Sequence, residues 1–503
     1  MKSFLARLLP GSILGCLAVT LGAAPMPPHF YQVEEIPVPK DFAPEVGALA
    51  FNRSGELVVV LRRHGILMAK PATDPAKFEW RVFTDASLHN PAGVYVEADN
   101  QLLVPQMSDF LRISDTDRDG SADSFESLCS EWGLSGNYHE TIAGPIPDGL
   151  GNWFLAIGTA SLNGPTFNWV RGEFSEFGRR GRNFSSVAYK GWVVKVTPTG
   201  EMIPWASGFR ANNGIAMSPD GDLFVTDNQG DFRGTSPFYH IQKGNFYGHA
   251  SSLNWEPGFV EKNGDPLKFG LDKLDAMRTR AAIELPQTLM CNSPSQPLFD
   301  TTGGKFGPFA GQVFVGDVAG QRILRMMLEK VNGVYQGAVV HFLVQTGLRG
   351  GNNRLAWSPD GKSLYVGQTY RGWGGPRETE GLQRIVWQGN TPFEVITMSI
   401  TRTGFDVTFT QPAARELASN PANYSFQNYH YAYTQNYGGP QVDKKPIAVK
   451  QVRVSPDGLR ASIDLEEMTA KKIYQLDLGG VKSTQGVPLI NTTVCYTVNV
   501  LRN

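Results

Sequence analysis

Short apolar runs and polar turns alternate along most of this chain, and a Pro-Asp-Gly turn recurs between the runs. Residues 213–227 give the clearest copy, with an apolar run, Pro219-Asp220-Gly221 and a second apolar run. Residues 353–367 repeat the pattern around another Pro-Asp-Gly turn. Proline presets φ, aspartate bonds to the turn backbone and glycine accepts a positive φ, so each copy predicts a β-hairpin. A single hairpin cannot bury its apolar face, and repeated hairpins therefore predict stacked sheets.

Weaker copies of the hairpin fill the intervals. The hairpins begin near residues 46, 91, 142, 213, 309 and 353, and most spacings are close to the ~40–50 residues of one propeller blade. The fifth hairpin takes residues 309–315 as its first strand and 322–328 as the following one. The long intervals after residue 227 and before residue 309 predict loop insertions. The sequence therefore predicts an all-β fold, with a six-bladed β-propeller over residues 30–390.

A different strand pattern follows the repeats. The segment from 394 to 503 contains six runs that are typical of strands, at residues 396–409, 424–433, 447–454, 461–465, 473–478 and 493–500. An all-β module of ~110 residues has the size of an immunoglobulin-like sandwich. We therefore predict a small C-terminal immunoglobulin-like β-sandwich.

The N-terminus has the pattern of an export signal. Lys2 and Arg7 supply positive charge, an apolar run follows, and small residues support cleavage after Ala23. Residues 1–23 are thus predicted to be a signal peptide, which places the mature protein in the periplasm or outside the cell. The apolar run before Cys16 is short and interrupted, so we do not expect a lipid anchor there. No later segment approaches the ~20 apolar residues of a membrane span.

Composition and charge narrow the function classes. Charged residues make up 18% of the chain, aromatic residues 11%, and 55 residues are glycine, a profile typical of turn-dense β structure. The net charge is −1 and no extended basic run occurs, which argues against a nucleic-acid partner. Cleavage leaves Cys129, Cys291 and Cys495. Their odd number and wide spacing favour buried structural cysteines over a disulfide framework or a metal motif.

Residues 115–126 match a calcium-loop pattern, with acids at positions 1, 3, 5, 9 and 12 and glycine at position 6. Calcium takes six to eight hard oxygen ligands, which a tight loop can wrap around one ion. The candidate ligands are Asp115, Asp117, Asp119, the carbonyl of Ser121, Asp123 and Glu126. A strand-like run precedes the loop, so we expect it to join propeller strands rather than helices. The alternative is an acidic surface turn without a metal.

Two groups of polar residues flank the hairpins. His139 precedes the third hairpin, where propeller loops converge on the central channel, and the near-neutral pKa of histidine suits proton abstraction. Arg210 and Asn213 precede the fourth hairpin, Gln229 follows it, and Arg371 follows the sixth. Such side chains can bind the carboxylates and carbonyls of a planar anionic ligand. The alternatives are a structural histidine and side chains that only pin loops.

A resemblance to a known family rests on three segments, namely Gly208-Phe209-Arg210 through Gly214, Gln229-Gly230, and Gly244-Asn245-Phe246-Tyr247-Gly248. They resemble the glucose/sorbosone dehydrogenases, six-bladed propellers that use pyrroloquinoline quinone (PQQ) and calcium. The resemblance implies that His139 takes the proton of the sugar's anomeric hydroxyl and that Arg210 contacts the cofactor. It also implies that Gln229 and Gly230 present carbonyls to the cofactor's calcium, and that Arg322 is a basic cofactor ligand.

More specifically, the chain looks like the exported bacterial type that carries a C-terminal β-sandwich. It departs from the family where Ala211 replaces an asparagine and where Asp231 alone remains of a pair of acids. No Cys-x-x-Cys-His haem motif occurs, so an electron acceptor such as a cytochrome would be a separate molecule. The expected function is oxidation of an aldose or related sugar with PQQ and calcium. The alternatives are a non-catalytic propeller that binds extracellular polysaccharide, and a calcium-dependent gluconolactonase-type hydrolase, which Asn213 suggests.

Overall fold

The computed structural model describes residues 24–162, 170–177, 181–369 and 380–503. The predicted signal peptide and Arg371 lie outside these described residues. The described chain is almost entirely β structure. Its helices are short: α1 (Phe259–Asn263), α2 (Leu271–Met277), α3 (Arg415–Ala418) and the 3-10 turns Pro75–Lys77, Ala250–Trp255, Pro266–Lys268 and Pro421–Asn423. Within the described ranges, none of the helices combines the length and the apolar character needed to cross a membrane.

Most strands belong to consecutive antiparallel sheets of four strands, one of which continues into the C-terminal region. Strand β1 (Tyr31–Glu35) comes first in the chain and joins the sixth of these sheets. The first sheet contains β2 (Val46–Phe51), β3 (Leu57–Leu61), β4 (Ile66–Lys70) and β5 (Glu79–Thr84). The second contains β6 (Tyr95–Ala98), β7 (Gln101–Pro105), β8 (Phe110–Ser114) and β9 (Ser124–Cys129). The third contains β10 (Ile142–Pro147), β11 (Trp153–Ile157), β14 (Trp192–Val196) and β15 (Met202–Ser207), with the short pair β12 (Ala160–Ser161) and β13 (Asn183–Phe184) between them.

The remaining sheets of this region follow the same order. The fourth contains β16 (Gly214–Met217), β17 (Leu223–Thr226), β18 (Ser236–Ile241) and β19 (Ile283–Leu285). The fifth contains β20 (Pro294–Phe299), β21 (Val313–Asp317), β22 (Arg322–Val331) and β23 (Val334–Val344). The sixth contains β24 (Asn352–Trp357), β25 (Ser363–Gln368) and β26 (Gly381–Trp387), and β1 completes it at its outer edge.

The first strands of these sheets form a closed ring. Each of β2, β6, β10, β16, β20 and β24 contacts the next, and β24 contacts β2. The ring is fastened by the N-terminal strand, because β1 pairs with β26 and sets Tyr31 opposite Trp387. This arrangement is that of an all-β propeller, the architecture that the hairpin repeats predict.

The fifth sheet begins earlier in the chain than its sequence pattern indicates. Its first strand is β20 (Pro294–Phe299), and the predicted first strand at 309–315 instead forms the second strand, β21. The residues of β20 include Pro294 and Pro297, and the strand register shifts between them. Proline cannot donate to a sheet and is tolerated at such irregularities, so this strand has the sequence of a loop.

Residues 394–503 form two further groups of four strands that pack face to face around one apolar core. One group contains β27 (Val395–Ile400), β28 (Gly404–Phe409), β31 (Val449–Val454) and β32 (Arg460–Leu465). The other contains β29 (Ser425–Tyr431), β30 (Gln441–Ile447), β33 (Lys472–Asp477) and β34 (Thr493–Val498). The predicted single strand at 396–409 is thus a hairpin. Strand β30 escaped prediction because four consecutive residues in it are exposed, which leaves no apolar alternation.

The C-terminal region is joined to the propeller by hydrogen-bonded strands. Strand β34 pairs with β23 of the fifth sheet, with Gly337 opposite Thr497, so that one sheet of eight strands spans both regions. A buried ion pair supports the junction, because Arg325 Nη2 lies 3.4 Å from Glu394 Oε2 and both side chains are fully buried. Cys129, Cys291 and Cys495 are buried, as predicted, and none of them forms a disulfide within the described residues.

Candidate functional site

A cavity of about 420 Å³ opens where loops of the third, fourth and fifth sheets meet. His139 precedes β10, Arg210 precedes β16 and Ser293 precedes β20, and all three residues line the cavity. Gln229, which follows β17, also lines it. The ring of first strands brings these segments to one end of the propeller, although the sequence separates them by up to 154 residues. His139, Arg210 and Gln229, which the sequence indicated separately, therefore share one site.

Arg210 is held by a buried acid beside the cavity. Its Nε lies 2.8 Å from Asp231 Oδ1, and its Nη2 donates to Asn183 Oδ1 at 2.6 Å. The other oxygen of Asp231 lies 3.2 Å from His249 Nε2. Burial acts to raise the pKa of Asp231, but the charges and hydrogen bonds of His249 and Arg210 outweigh it and hold that pKa well below its usual value. Asp231 is therefore an ionised anchor for the arginine.

The guanidinium of Arg210 packs directly against the backbone of Gly230. A Cβ at position 230 would lie 2.0 Å from Arg210 Nε, a distance that no side chain allows. The carbonyl oxygen of Gly230 accepts hydrogen bonds from Arg233 N at 3.0 Å and Gly438 N at 2.9 Å. Because both lone pairs of this carbonyl have N–H donors, the geometry of Gly230 supports close packing against Arg210 rather than metal coordination.

Several polar atoms in the described part of the cavity wall have no hydrogen-bond partner, among them Asn228 Oδ1, Gln287 Oε1 and Ser293 Oγ. Asn228 and Ser293 are 7% and 6% exposed, and both line the cavity. Neither Asn228 Oδ1 nor Ser293 Oγ has a partner among the described groups. Buried polar atoms are nearly always bonded, so unpaired ones in a cavity wall indicate a polar ligand. The amide oxygen of Asn228 accepts hydrogen bonds, and the hydroxyl of Ser293 can both donate and accept them. This combination fits a ligand that carries hydroxyl groups.

The sequence did not single out two further residues of the wall, Arg182 and Tyr437. The guanidinium carbon of Arg182 lies 4.3 Å from the centre of the Tyr437 ring, and that of Arg210 lies 5.2 Å from it. No carboxylate occurs among the described residues that line the cavity. The wall is therefore cationic and amide-rich, which favours an anionic or hydroxylated ligand. Arg182 ends the short basic run of residues 179–182, and Tyr437 lies in the C-terminal region.

The other residues predicted for cofactor binding lie elsewhere. Asn213 is buried; its Nδ2 donates to Asn353 Oδ1 at 3.0 Å, and its carbonyl accepts from Arg354 Nη1 at 3.0 Å. Burial and the nearby charge of Arg62 lower the pKa of Arg354 to about 9. These contacts place Asn213 in the packed channel wall.

Arg322 sits behind the cavity wall. Its Nε donates to Asp317 Oδ2 at 2.7 Å, and Asp317 also accepts from the backbone amides of Asn292 and Ser293. The fourth sheet repeats this arrangement, with Asp227 accepting from the amides of residues 210 and 211. The contacts of Arg322 are thus those of a side chain that fixes the loop before a first strand.

The acidic loop lies apart from the cavity, between β8 and β9, as predicted. Carboxylate oxygens of Asp115, Asp117 and Asp123 lie within 4.8 Å of one another. Asp115 is 4% exposed, and its Oδ1 has no hydrogen-bond partner while its Oδ2 accepts from Gly120 N at 3.0 Å. A buried unpaired carboxylate oxygen that belongs to a cluster of hard oxygens fits a calcium ion.

Two predicted carboxylate ligands of this loop, Asp119 and Glu126, do not belong to that cluster of described residues. Glu126 lies on β9, opposite Arg112, and its Oε2 accepts from Arg112 Nη1 at 2.8 Å. Asp119 Oδ1 accepts from Ser121 N at 2.8 Å. The clustered oxygens at positions 1, 3 and 9 of the loop therefore fit a metal best, since the strand that follows the loop directs position 12 toward Arg112.

Residues 75–259, less than half of the chain, match the model of a domain of unknown function, DUF7133. No curated protein matches the chain. Similar solved structures include a putative oxidoreductase (glucose dehydrogenase) from Thermus thermophilus, at 19% identity over 71% of this chain and 100% of that chain, with a TM-score of 0.47.

Two further similar structures are those of a PQQ domain and of a PQQ-bound dehydrogenase. The PQQ domain of pyranose dehydrogenase from Coprinopsis cinerea is 12% identical over 71% of this chain and 95% of that chain, with a TM-score of 0.46. PQQ-bound aldose sugar dehydrogenase from Streptomyces coelicolor is 15% identical over 72% of this chain and 99% of that chain, with a TM-score of 0.44. At these identities and TM-scores, the case for a function rests on the cavity itself.

Proposed function

We propose that this protein is an exported oxidoreductase that oxidises an aldose or related sugar, with PQQ or a similar quinone bound in the cavity and His139 as the general base. The fold that goes with this proposal is a six-bladed propeller of the glucose/sorbosone dehydrogenase type followed by an immunoglobulin-like sandwich. The observation that carries it is the meeting of His139, Arg210 and Gln229 in one cationic cavity. The acceptor of the electrons would be a separate molecule such as a cytochrome.

The cavity wall fits an anionic quinone better than it fits a calcium ion. Arg182, Arg210 and the amide of Gln229 suit the carboxylates and carbonyls of an anionic quinone. A calcium ion beside the quinone fits less well, because the described wall has no carboxylate and the Gly230 carbonyl already accepts from two amides. We therefore assign calcium to the loop of Asp115, Asp117 and Asp123, where it would stabilise the structure.

In this reaction the protein's own side chains would remove one proton and orient the sugar. A bound quinone would supply the acceptor for the two electrons of the oxidation. His139 would take the proton of the anomeric hydroxyl as the bond from hydrogen to the anomeric carbon breaks, which gives a lactone. Asn228 Oδ1 and Ser293 Oγ would orient the sugar by bonding its other hydroxyls. The pair of Arg210 with Asp231 fixes the arginine before a ligand arrives, which lowers the entropy lost on binding.

Reconstitution tests the proposal. The mature protein is incubated with PQQ and Ca²⁺, and reduction of an artificial dye is followed over a panel of aldoses. We expect dye reduction that depends on both sugar and quinone, and a loss of about 10²–10⁴-fold in kcat for His139→Gln, because a general base contributes that much. A quinone-loaded protein that reduces no dye with any sugar would refute catalysis.

The matched control is His240→Gln. His240 is a half-buried histidine on β18 whose Nε2 lies 3.2 Å from Asp222 Oδ1, away from the cavity wall described above. It should leave kcat unchanged. An equal loss in both variants would mean that the effect of His139 is structural.

The second candidate is a non-catalytic propeller that binds extracellular polysaccharide. The unpaired Asn228 Oδ1 and Ser293 Oγ favour it, because they suit sugar hydroxyls without any cofactor. In that case oligosaccharides would bind to the protein without PQQ, and His139→Gln would bind them with unchanged affinity while no turnover occurs.

A further inference from the structure

The C-terminal region reaches over the propeller cavity through one loop. This C-terminal loop, residues 432–440, connects β29 and β30. It runs beside residues 230–234 of the propeller, where Phe232 N donates to Thr434 O at 3.0 Å and Gly439 N donates to Gly234 O at 3.2 Å. Together with the bond from Gly438 N to the Gly230 carbonyl, these contacts fix the loop along its length.

The packing between the two segments is close. A Cβ on Gly234 would lie 2.4 Å from the Cβ of Tyr431, and one on Gly439 would lie 3.1 Å from the Cα of Gly234. Tyr433 adds a side-chain anchor, because its hydroxyl donates to Gly248 O at 2.5 Å. Glycines at both contact points therefore let the two backbones approach, and the C-terminal loop has one defined position on the propeller.

This position sets Tyr437 at the cavity. Tyr437 forms a bridge with Asp231, the acid that holds Arg210, and its ring faces the guanidinium groups of Arg182 and Arg210. Unlike the buried tyrosines of the C-terminal core, Tyr437 is 52% exposed. A large aromatic ring that is fixed through its backbone and still half exposed in a cavity wall is arranged as a contact surface for a ligand.

We propose that the ligand site is shared between the two regions, and that Tyr437 is a specificity-determining residue that stacks on a planar anionic ligand whose charge is bound by Arg182 and Arg210. An aromatic ring beside two guanidinium groups recognises a flat, conjugated anion better than a neutral sugar, since stacking and charge then act on the same ligand. The proposal rests on the proposed function only in that the quinone is one member of this ligand class. The C-terminal region thereby becomes part of the site instead of an appended module.

Equilibrium binding tests the proposal with two probes. PQQ and naphthalene-2,6-dicarboxylate are each titrated by calorimetry into wild-type protein, Tyr437→Ala and Tyr437→Phe. The second probe is a planar dianion with no quinone chemistry. We expect Tyr437→Ala to weaken the binding of each probe that the wild type binds by about tenfold, as the loss of one stacked aromatic ring does. Tyr437→Phe keeps the ring and should stay within about threefold of wild type.

The control in the same loop is Gln435→Ala. Gln435 donates from Nε2 to Leu267 O at 2.7 Å and is exposed, so its loss should leave probe affinity within about threefold. Melting temperatures of all variants show whether the loop stays in place.

The outcomes separate the two proposals. Binding of the naphthalene probe without binding of PQQ, with the expected loss in Tyr437→Ala, would support the shared site and reject the quinone. Equal affinity of wild type and Tyr437→Ala for every probe that binds would overturn the role of Tyr437. Absence of binding by both probes would overturn both proposals.

Discussion

Asp231 gives the sharpest test of how the site is held together. Its two carboxylate oxygens bind Arg210 Nε at 2.8 Å and His249 Nε2 at 3.2 Å, and the second oxygen also accepts from Asn183 N at 3.1 Å. The residue is 4% exposed. Asp231→Asn keeps the size of the side chain and removes its charge. The buried guanidinium of Arg210 then loses its counter-charge, and one of the acceptors becomes an NH₂ group that faces donors.

The expected cost follows from the burial of this pair. Removing one partner of a buried ion pair typically costs about 3–5 kcal/mol, and the amide oxygen that remains favours the lower end, about 3 kcal/mol. Unfolding entropy of about 2.1 cal/mol/K per residue gives about 1 kcal/mol/K for a cooperative unit of ~480 residues. The melting temperature should therefore fall by about 3 °C, and the midpoint of urea unfolding should fall with an unchanged slope.

A matched control separates burial from contact geometry. Asp222 also lies 3.2 Å from a histidine Nε2, that of His240, and contacts Lys330 Nζ at 3.3 Å, but its side chain is 28% exposed. Asp222→Asn should therefore have a much smaller effect on stability, because exposed ion pairs contribute little. A double-mutant cycle of Asp231→Asn with Arg210→Met should give a coupling energy above about 1 kcal/mol.

The pH dependence of stability tests the Asp231 ion pair independently. The pKa of Asp231 is lowered in the folded state, so its contribution to stability is fully present above the unfolded value near 3.9 and is lost as the pH falls toward the folded pKa. The stability gap between wild type and Asp231→Asn should be constant above about pH 5 and shrink below about pH 4, by about 1.4 kcal/mol per pH unit. A gap that grows in acid, or a coupling energy near zero, would refute the account of this pair.

Two other predictions concern the acidic loop and the wall behind the cavity. Calcium should raise the melting temperature of the wild type in calorimetry, since an ion at 100 times its Kd stabilises the folded state by about 2.7 kcal/mol. Asp115→Ala should abolish this response. An equal rise in melting temperature in both proteins would exclude the acidic loop as the calcium site. Arg322→Met should cost about 3 kcal/mol in urea unfolding, because it removes the counter-charge of buried Asp317, while PQQ affinity should stay within about threefold. A large loss of affinity with unchanged stability would instead make Arg322 a ligand contact.

The sequence predicted the parts of this structure that depend on local pattern. The Pro-Asp-Gly turns locate hairpins because turn chemistry is local, and β16–β17 and β24–β25 form where these turns indicate. Strand β20 was misplaced because its prolines hide it, and β30 was missed because its side chains face solvent. Both segments become strands because they pair with neighbouring strands, and their own sequences carry no pattern that predicts this pairing.

The residues of the site divide in the same way, into those with a local sequence pattern and those placed by distant contacts. His139, Arg210 and Gln229 were identifiable because each flanks a recognisable hairpin. Arg182 and Tyr437 were not, because their part in the cavity depends on contacts between segments 255 residues apart in the chain. The packing of Gly230 against Arg210 and the contact of the C-terminal loop with residues 230–234 create the site, and neither has a local signature.

Binding of PQQ to the purified mature protein tests the central claim most directly, with Arg182→Gln as the comparison. Arg182 is exposed at the cavity and faces the Tyr437 ring, so its replacement should not disturb folding. We expect calorimetry to give one site per wild-type chain and an affinity at least about tenfold lower for Arg182→Gln, because a charge-assisted contact to a carboxylate is lost. Absence of binding by the wild type, or equal affinity for the two proteins, would contradict the assignment of this cavity as the site of an anionic quinone.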